Sequence, residues 1–383
     1  MSPNSRLRIA FVADTLHSHS GGGILSAEFV VERLRHEHTV VTVATDGDNV
    51  LPSFQLPLRA MREMGFVMAK PDRAVLARAF ANVDVVHLQF PFWLSFAALR
   101  DARRLRLPVV AAFHVQPENA LFSVGIHSAW LNDAIYGVLV KRFYNKVDAV
   151  LCPTEFAAQK LRDHGLTTRT VVISNGVPPD VAGAMAANPP VSHHAPAGRF
   201  FILAVGRFAA EKHQDVIIEA VRLSRHRDRI RLVLSGWGPR EDELKLLASS
   251  LPNGAEIGFL SPEKLVQDYR TADLFVHAGE VELEGMSVLE SMSAGLPALI
   301  ANAPESAASK LALNEDFTFP AGDATALAAK IDALIDNPAK LEAARDLYRE
   351  RARHFDFNAS IEKLVELYRS VIAAAGSQRK SAP

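Results

Sequence analysis

The chain of 383 residues carries a net charge of −1, with 49% hydrophobic and 22% charged residues. This composition excludes a disordered or fibrous protein, and the balanced charge argues against a nucleic-acid partner. The length suits two domains, and no apolar run reaches the roughly 20 residues of a membrane-spanning helix. The N-terminus shows no secretory pattern, and Cys152 is the single cysteine. A cytoplasmic protein with one buried, unreactive thiol is therefore expected.

The first 180 residues alternate short apolar runs with amphipathic segments. The runs are rich in valine and isoleucine and do not alternate with polar residues, which is typical of parallel strands buried on both faces. Helices between the strands, the first near 26–35, imply right-handed βαβ units. The sequence predicts an N-terminal Rossmann-like domain over 1–180. Its strands are expected at 7–14, 38–45, 83–90, 108–114, 147–153 and 170–176.

Residues 181–199 interrupt this rhythm with alanine, proline and glycine, and we interpret them as a linker. The same alternation then resumes and predicts a second Rossmann-like domain over 200–354. The fold class is thus α/β with two such domains facing across a cleft, where ligands of parallel sheets are expected. Strands of the second domain are expected at 199–207, 230–238, 255–260, 272–279, 296–302 and 317–320.

The stretch GEVELEGMSVLESMSAGLP at 279–297 carries the strongest functional signal. A strand ends near Gly279, an acidic loop follows, and a helix is predicted from Met286 to a left-handed cap at Gly295. The N-terminus of a helix offers free backbone N–H groups to a phosphate. Glu282 lies in the loop, and Glu290 lies in the second turn of the helix. A carboxylate in that turn can accept hydrogen bonds from two adjacent sugar hydroxyls while the helix start holds phosphate.

Three more loops follow predicted strands. Arg207 and Lys212, in GRFAAEK at 206–212, are two cations that could neutralise a diphosphate. The glycines at 21–23 allow close backbone approach, although they do not form the GxGxxG dinucleotide fingerprint. His114 follows the fourth predicted strand, within FHVQPEN at 113–119.

Together these motifs resemble those of family 4 glycosyltransferases with the GT-B fold, and the similarity spans nearly the whole chain. The resemblance implies transfer of a sugar from a nucleotide diphosphate sugar, with retention of anomeric configuration and without a metal or other cofactor. It implies that Arg207 and Lys212 bind the diphosphate, that Glu282 sits at the donor sugar, and that Glu290 holds the ribose hydroxyls. It also implies that 355–383 crosses back to the first domain.

The same resemblance assigns further contacts. His114 should lie beside the reacting sugar, Gly22 or Gly23 should face the donor, and the stretch ending at Leu260 should lie near the base. The departures from the family pattern are Glu284, where an aromatic residue is common, and Ser287. Backbone approaching the phosphates is expected at Met286, Ser287 and Val288.

The acceptor is less strongly indicated. The sequences of residues 113–119 and 280–290 are similar to those of bacterial glycolipid and diacylglycerol glucosyltransferases. This similarity implies a membrane lipid such as diacylglycerol as acceptor, and a UDP-linked hexose or uronic acid as donor. A lipid-linked oligosaccharide or an exopolysaccharide stays open as acceptor. A nucleotide-sugar epimerase and a binding subunit without turnover stay open as other functions.

Two segments mix basic with apolar residues, one between Arg59 and Arg78 and the other between Leu139 and Lys146. Such segments favour peripheral contact with an anionic lipid surface, here the cytoplasmic face of the membrane. Solvated helix faces explain them equally well. No metal site is predicted, because we interpret the remaining candidate metal ligands as ordinary loop and turn residues. These are His17, His19, Asp46 and Asp48.

Overall fold

The structure is a computed structural model, and it describes residues 5–17, 22–54, 67–122, 125–186 and 198–381. The chain divides into two compact units. The N-terminal unit comprises Met1–Asn175 together with Ala359–Pro383, and the C-terminal unit comprises Gly176–Asn358. The last stretch of the chain, Ala359–Pro383, therefore belongs to the N-terminal unit, although it follows the C-terminal unit in sequence.

The N-terminal unit is built on a parallel sheet with the order β3-β2-β1-β6-β7-β8-β9 among the described strands. Its central strands are buried along their whole length, which explains their continuous apolar character. A short antiparallel pair, β4 and β5, stands apart from it. The strands are β1 (Arg8–Val12), β2 (Thr39–Ala44), β3 (Asn49–Val50), β4 (Ser53–Phe54), β5 (Met68–Ala69), β6 (Val85–Leu88), β7 (Val109–Ala112), β8 (Ala149–Cys152) and β9 (Thr170–Val172).

Helices connect these strands as right-handed crossovers require. Several begin at side-chain caps, such as Asp72 before α2 and Thr154 before α6, which satisfy free N–H groups of the first turn. The helices are α1 (Gly22–Glu37), α2 (Arg73–Phe80), α3 (Trp93–Arg104), α4 (Pro117–Phe122), α5 (Ala129–Arg142) and α6 (Glu155–Asp163).

The predicted linker is wrong at its start, because a helix, α7, spans Pro179–Ala186. Its sequence PDVAGAMA combines proline in the first turn with three alanines, the residue of highest helix propensity. Val181 and Ala182 pack against the apolar core of the C-terminal unit. Residues 187–197 of the predicted linker lie outside the described residues.

The C-terminal unit has a parallel sheet with the order β12-β11-β10-β13-β14-β15. One large apolar core fills the space between this sheet and its helices. The strands are β10 (Phe200–Val205), β11 (Ile230–Ser235), β12 (Ala255–Gly258), β13 (Leu274–His277), β14 (Ala298–Asn302) and β15 (Thr318–Pro320). The helices are α8 (Gln214–Leu223), α9 (Glu241–Ala248), α10 (Pro262–Thr271), α11 (Met286–Ser293), α12 (Ala324–Ile335) and α13 (Pro338–Ala352).

The last helix, α14 (Phe357–Ser381), contributes most of its length to the N-terminal unit. Tyr368 on this helix is fully buried there, and its hydroxyl lies 2.8 Å from Nδ1 of His87 on β6. Within the described ranges, no helix combines the length and the hydropathy that a bilayer-crossing segment needs.

Candidate active site

The strand order of the C-terminal sheet reverses at β10, which pairs with β11 on one side and β13 on the other. In open parallel sheets, ligands bind beyond the carboxyl ends of the strands at such a reversal. The loop after β10 carries Arg207 and Lys212, and the loop after β13 carries Glu282. The fold therefore brings three of the predicted site residues to one place on one unit.

An ion pair joins these two loops directly, because Nζ of Lys212 lies against Oε1 of Glu282. Both side chains are only 18% exposed. Burial alone would raise the pKa of Glu282, but the neighbouring Lys212, together with His277 and Arg207, outweighs burial and holds this pKa below its usual value. The backbone of Glu282 is held in place by a parallel bridge with Ser306.

The second predicted cation is paired in a similar way. Nη2 of Arg207 donates to Oε1 of Glu211 at 2.6 Å, and Glu211 is fully buried. The side-chain amide of Gln214 donates to the Arg207 carbonyl at 2.9 Å and so fixes the loop backbone. Each cation expected at a diphosphate thus has a carboxylate partner.

Close backbone packing shapes the loop that bears Arg207. A Cβ atom on Gly236, just after β11, would lie 2.0 Å from the carbonyl oxygen of Gly206. A Cβ on Gly238 would lie 2.4 Å from the Phe208 carbonyl oxygen, so these two positions admit only glycine without rearrangement. The SGWG stretch at 235–238 is a site feature that the sequence reasoning missed, although its paired glycines are a visible signal.

Helix α11 begins without a side-chain cap, after Gly285 with φ of +91°. The backbone N–H of Val288 already donates to the Gly285 carbonyl at 2.9 Å. Of the three residues predicted to approach the phosphates, Met286 and Ser287 thus keep the N–H groups that have no acceptor within the helix. The helix ends before Gly295, whose φ of +68° confirms the predicted left-handed cap.

Glu290 lies in the second turn of α11, as predicted. Its Oε2 accepts a hydrogen bond from the hydroxyl of Tyr269, on α10, at 2.8 Å. Burial raises the pKa of Glu290 to about 6, and the Tyr269 bond opposes this rise. The Tyr269 hydroxyl also lies 3.3 Å from the Ser287 carbonyl, so one tyrosine ties the carboxylate to the helix start. Tyr269 carries no signal in the sequence that would have identified it.

Leu260 follows β12 at the same edge of the sheet, two strands away from β10. Its side chain is half-buried and packs against the apolar core. The structure therefore places it at the predicted edge, apart from the ion pair.

Two histidines beside the ion pair were missed by the sequence reasoning. His277, the last residue of β13, is buried and its Nε2 lies 3.5 Å from Oε1 of Glu282. His213 adopts a left-handed backbone with φ of +50°, and its Nε2 lies 3.0 Å from a carboxylate oxygen of Glu280. A histidine ending an otherwise apolar strand, as in LFVH, was the available signal for His277.

In the N-terminal unit, His114 follows β7 and lines a cavity of about 30 Å³, which is large enough to hold a water molecule. Burial lowers the pKa of His114 to about 3, and nearby His87 adds to the effect. Nε2 of His87 lies 3.0 Å from Oε1 of Gln89, so Nε2 carries the proton and Nδ1 accepts from Tyr368. Both histidines are neutral at pH 7. The cavity is also lined by Ser174, Asn175, Ser360 and Ile361.

A buried ion pair anchors the segment after His114. Glu118 on α4 accepts from Nζ of Lys160 at 2.6 Å and from the Tyr136 hydroxyl at 3.0 Å. The glutamate of the QPEN sequence is thus a structural anchor for the loop that carries His114.

The predicted loop at Gly22 and Gly23 is instead the first turn of α1, which begins at Gly22 rather than near residue 26. Glycine costs a helix only about 1 kcal/mol per residue relative to alanine, so these glycines do not prevent the helix from starting there. Gly21 lies outside the described residues.

Comparison with known proteins agrees with this architecture. The model described as Glycosyltransferase Family 4 matches residues 28–181, and the model described as Glycosyl transferases group 1 matches residues 189–355. The chain belongs to the family 4 glycosyltransferases with the GT-B fold.

Relatives of this glycosyltransferase include one that is named for a glucosyldiacylglycerol product. The chain is 24% identical to the alpha-monoglucosyldiacylglycerol synthase of Streptococcus pneumoniae, over 76% of this chain and 70% of the relative. It is 29% identical to a GDP-mannose-dependent alpha-mannosyltransferase of Corynebacterium glutamicum, over 76% of this chain and 72% of the relative. The fold matches that of Anabaena HepE in complex with UDP-glucose, with a TM-score of 0.70 and 16% identity over 95% of this chain and 100% of the other.

Other candidate residues of the glycosyltransferase have structural roles. Asp46 accepts hydrogen bonds from Thr15 and from the backbone of Leu16 and His17, and Asp48 bonds to Thr42, as turn residues do. His17 lies 2.9 Å from Glu28, whereas His19 lies outside the described residues. Within the described part of the chain, no cluster of three or more His, Cys, Asp and Glu side chains could hold a metal ion.

Cys152 is a buried free thiol, as predicted, and burial raises its pKa to about 12. The thiolate is therefore negligible at neutral pH, which makes the side chain chemically inert.

The predicted lipid-contacting segment between Leu139 and Lys146 is wrong in its apolar part. Phe143 and Tyr144 are fully buried in the N-terminal unit, because they follow the end of α5 where the chain turns back to β8. The exposed apolar residues of this region lie earlier, at Trp130 and Val138 on α5. In the other segment, between Arg59 and Arg78, residues 59–66 lie outside the described residues.

Proposed function

We propose that this glycosyltransferase moves a hexose or uronic acid from a UDP-linked sugar to a membrane lipid such as diacylglycerol, with retention and without a metal. The observation that carries the proposal is the cluster of Arg207, Lys212 and Glu282 at the reversal of the C-terminal sheet. Two cations and a carboxylate at one sheet edge suit a diphosphate joined to a sugar.

The charge changes of the reaction assign the roles. Departure of the leaving group places negative charge on the diphosphate and positive character on the anomeric carbon. Arg207, Lys212 and the first N–H groups of α11 stabilise the diphosphate through preorganised electrostatics. Glu282 lies beside the sugar and faces the positive carbon with a carboxylate that its neighbours keep ionised.

Retention follows from a reaction on one face of the sugar. The leaving phosphate oxygen accepts the proton of the acceptor hydroxyl while that hydroxyl attacks the anomeric carbon, so no protein base is required. Glu290 is assigned to the ribose hydroxyls and does not form a hydrolase pair with Glu282.

A neutral lipid acceptor suits the N-terminal unit. His114 is neutral at pH 7, and the other residues of its cavity carry no formal charge. The relative from Streptococcus pneumoniae is named for a product built on diacylglycerol, which supports the same acceptor class here. The nucleotide is supported less uniformly, because another relative is named for GDP-mannose.

Helix α5 supplies the proposed contact with the membrane. Trp130 is 76% exposed and Val138 is 58% exposed. The exposed Lys141 follows Val138 by about one helical turn and Trp130 by about three turns, so the three side chains lie on one side of the helix. An exposed tryptophan beside a cation is suited to the headgroup region of an anionic bilayer.

A donor screen tests this function. Purified full-length protein is incubated with a total lipid extract and radiolabelled UDP-glucose, UDP-galactose, UDP-glucuronate, UDP-N-acetylglucosamine or GDP-mannose. We expect label in the organic phase from one UDP-sugar, and nuclear magnetic resonance of the product should show the anomeric configuration of the donor. Label from GDP-mannose alone would reject the UDP assignment.

The alternatives give other outcomes in the same screen. Label retained in a polymeric or aqueous glycan would reject the lipid acceptor in favour of a polysaccharide. Conversion of free donor into an isomer without any acceptor would indicate an epimerase. Tight binding of donor without turnover would indicate a binding subunit.

A further inference from the structure

His277 stands out among the buried side chains around the ion pair. It ends β13, a strand that is otherwise apolar, and only 5% of its surface is exposed. An imidazole at such a position has lost its water and needs a hydrogen-bond partner. Yet its Nε2 has no hydrogen bond within the described part of the chain.

The nearest acceptor to this nitrogen is the site carboxylate. Nε2 of His277 lies 3.5 Å from Oε1 of Glu282, the same oxygen against which Nζ of Lys212 lies. An N–H···O hydrogen bond has a typical length of about 2.9–3.0 Å, so a shift of about half an ångström would complete one. Nζ of Lys212 and Nε2 of His277 therefore face the same carboxylate oxygen, and of the two only the lysine is within hydrogen-bonding distance of it.

The adjoining glycine leaves room for this shift. A Cβ on Gly279 would lie 3.1 Å from Nε2 of His277 and 3.5 Å from Cδ of Lys212. The first distance is tighter than an ordinary contact, whereas the second is an ordinary van der Waals contact. A side chain at position 279 would therefore press on the His277 ring and restrict its shift towards Glu282.

The proposed reaction makes a competing demand on Lys212. If the Lys212 ammonium turns to the donor diphosphate, the ion pair between Lys212 and Glu282 weakens. The carboxylate then loses a partner in the same complex in which it must face the sugar. We propose that His277 is a positioning residue, whose Nε2–H takes over Oε1 of Glu282 and keeps that carboxylate aligned with the donor sugar. This inference rests on the proposed function, because it assumes that a nucleotide sugar occupies the site.

Two variants separate positioning from packing. His277→Leu removes the donor but keeps an apolar side chain suited to a buried strand, and His277→Gln keeps an N–H donor. Full-length wild type and both variants are compared in kcat and in calorimetric affinity for UDP-glucose, UDP, GDP-mannose and GDP. His226→Leu is the control, because His226 pairs with Asp336 next to the start of β11, at the opposite edge of the sheet.

We expect His277→Leu to lower kcat by about tenfold or more, as misplacement of a reacting group does, and to weaken the sugar nucleotide. Affinity for the free nucleotide should stay within twofold, and His277→Gln should recover most of the loss. If His277 serves only packing, the order of activities is reversed: His277→Leu is as active as wild type and His277→Gln is impaired. This result would overturn the proposal.

Failure of the function itself is distinguishable. If wild type binds sugar nucleotides but transfers no sugar, the proposed function fails, and His277 is still judged by whether Leu weakens the sugar nucleotide more than the nucleotide. If wild type binds no sugar nucleotide at all, both proposals are overturned. A lowered melting temperature would show that the Leu variant unfolds. In that case the proposal is judged on the Gln variant, from its kcat and from its affinities for the sugar nucleotide and the free nucleotide.

Discussion

The two regions that carry the predicted site residues differ sharply in charge. The edge of the C-terminal sheet gathers two cations and several carboxylates, arranged as the pairs Lys212–Glu282 and Arg207–Glu211. The cavity of the N-terminal unit is lined by neutral groups, and burial keeps His87 and His114 uncharged, with pKa values of about 4 and 3.

This difference assigns a chemical task to each region. Groups that carry formal charge suit a substrate that carries charge, and a diphosphate is such a substrate. Neutral, desolvated groups suit a hydroxyl acceptor, because a charged neighbour would favour a charged ligand instead. The proposed division is therefore donor handling by the C-terminal unit and acceptor handling by the N-terminal unit.

Loss of Lys212 is the most severe test of the charged region. We expect Lys212→Ala to lower turnover by roughly 10²-fold or more, because a preorganised donor to the leaving diphosphate is removed. Steady-state kinetics with the donor from the screen measure this. Lys245→Ala is the control, since Lys245 is exposed on α9 and pairs with Glu241 along that helix. Near-normal kinetics for Lys212→Ala would remove this lysine from the site.

Glu290 tests whether the same region holds the ribose. We expect Glu290→Ala to weaken nucleotide binding by about 1–3 kcal/mol, because charge-assisted hydrogen bonds are lost. Isothermal titration with UDP and GDP measures the change. Equal affinities for the variant and wild type would contradict the ribose role.

The pH dependence sharpens this second test. The pKa of Glu290 is raised to about 6 by burial, so the ionised form prevails above pH 6 and is lost as pH falls through that value. Nucleotide affinity should therefore be full at pH 7–8 and decline below about pH 6. In Glu290→Gln this decline should disappear, and a decline of the same size in the variant would assign it to another group.

Membrane contact tests the acceptor side. We expect Trp130→Ser to weaken binding to anionic vesicles by about tenfold, since burying a large apolar side chain contributes roughly 1.5–3 kcal/mol. Co-sedimentation measures the bound fraction. Leu246→Ser is a matched control, because Leu246 is 75% exposed but lies on the C-terminal unit. Equal losses for both variants would reject a specific surface on α5.

The neutral cavity is tested through Tyr368. We expect Tyr368→Phe to lower the free energy of unfolding by about 1 kcal/mol, because Nδ1 of His87 loses its buried hydrogen bond. Chemical denaturation measures this, and nucleotide affinity should stay within twofold. A weakened nucleotide affinity would contradict the division between the two regions.

The smallest expected effect concerns metal ions. We expect turnover to stay within twofold in excess chelator, because Arg207, Lys212 and the start of α11 supply the positive charge. Abolition of activity, restored by Mg²⁺ or Mn²⁺, would contradict the metal-free mechanism.

The sequence predicted the two parallel sheets, because their strands show as continuous apolar runs, and it placed Lys212 and Glu282 in loops that follow strands of the same domain. The ion pair between these two side chains was not predicted. The sequence did not predict His277 or Tyr269, since their roles depend on side-chain distances that only the folded core sets. The start of α1 at Gly22 and the helix α7 were also missed, because glycine and proline were taken as breakers although both are tolerated in a first helical turn.

Hydrogen exchange of the full-length protein tests the central claim most directly. Amide exchange is measured by mass spectrometry with and without saturating UDP or GDP. The account predicts slower exchange around 206–213 and 280–290 with at least one nucleotide, and unchanged exchange in α9. Unchanged exchange in both stretches with either nucleotide would contradict the assignment of the donor to this edge of the C-terminal sheet.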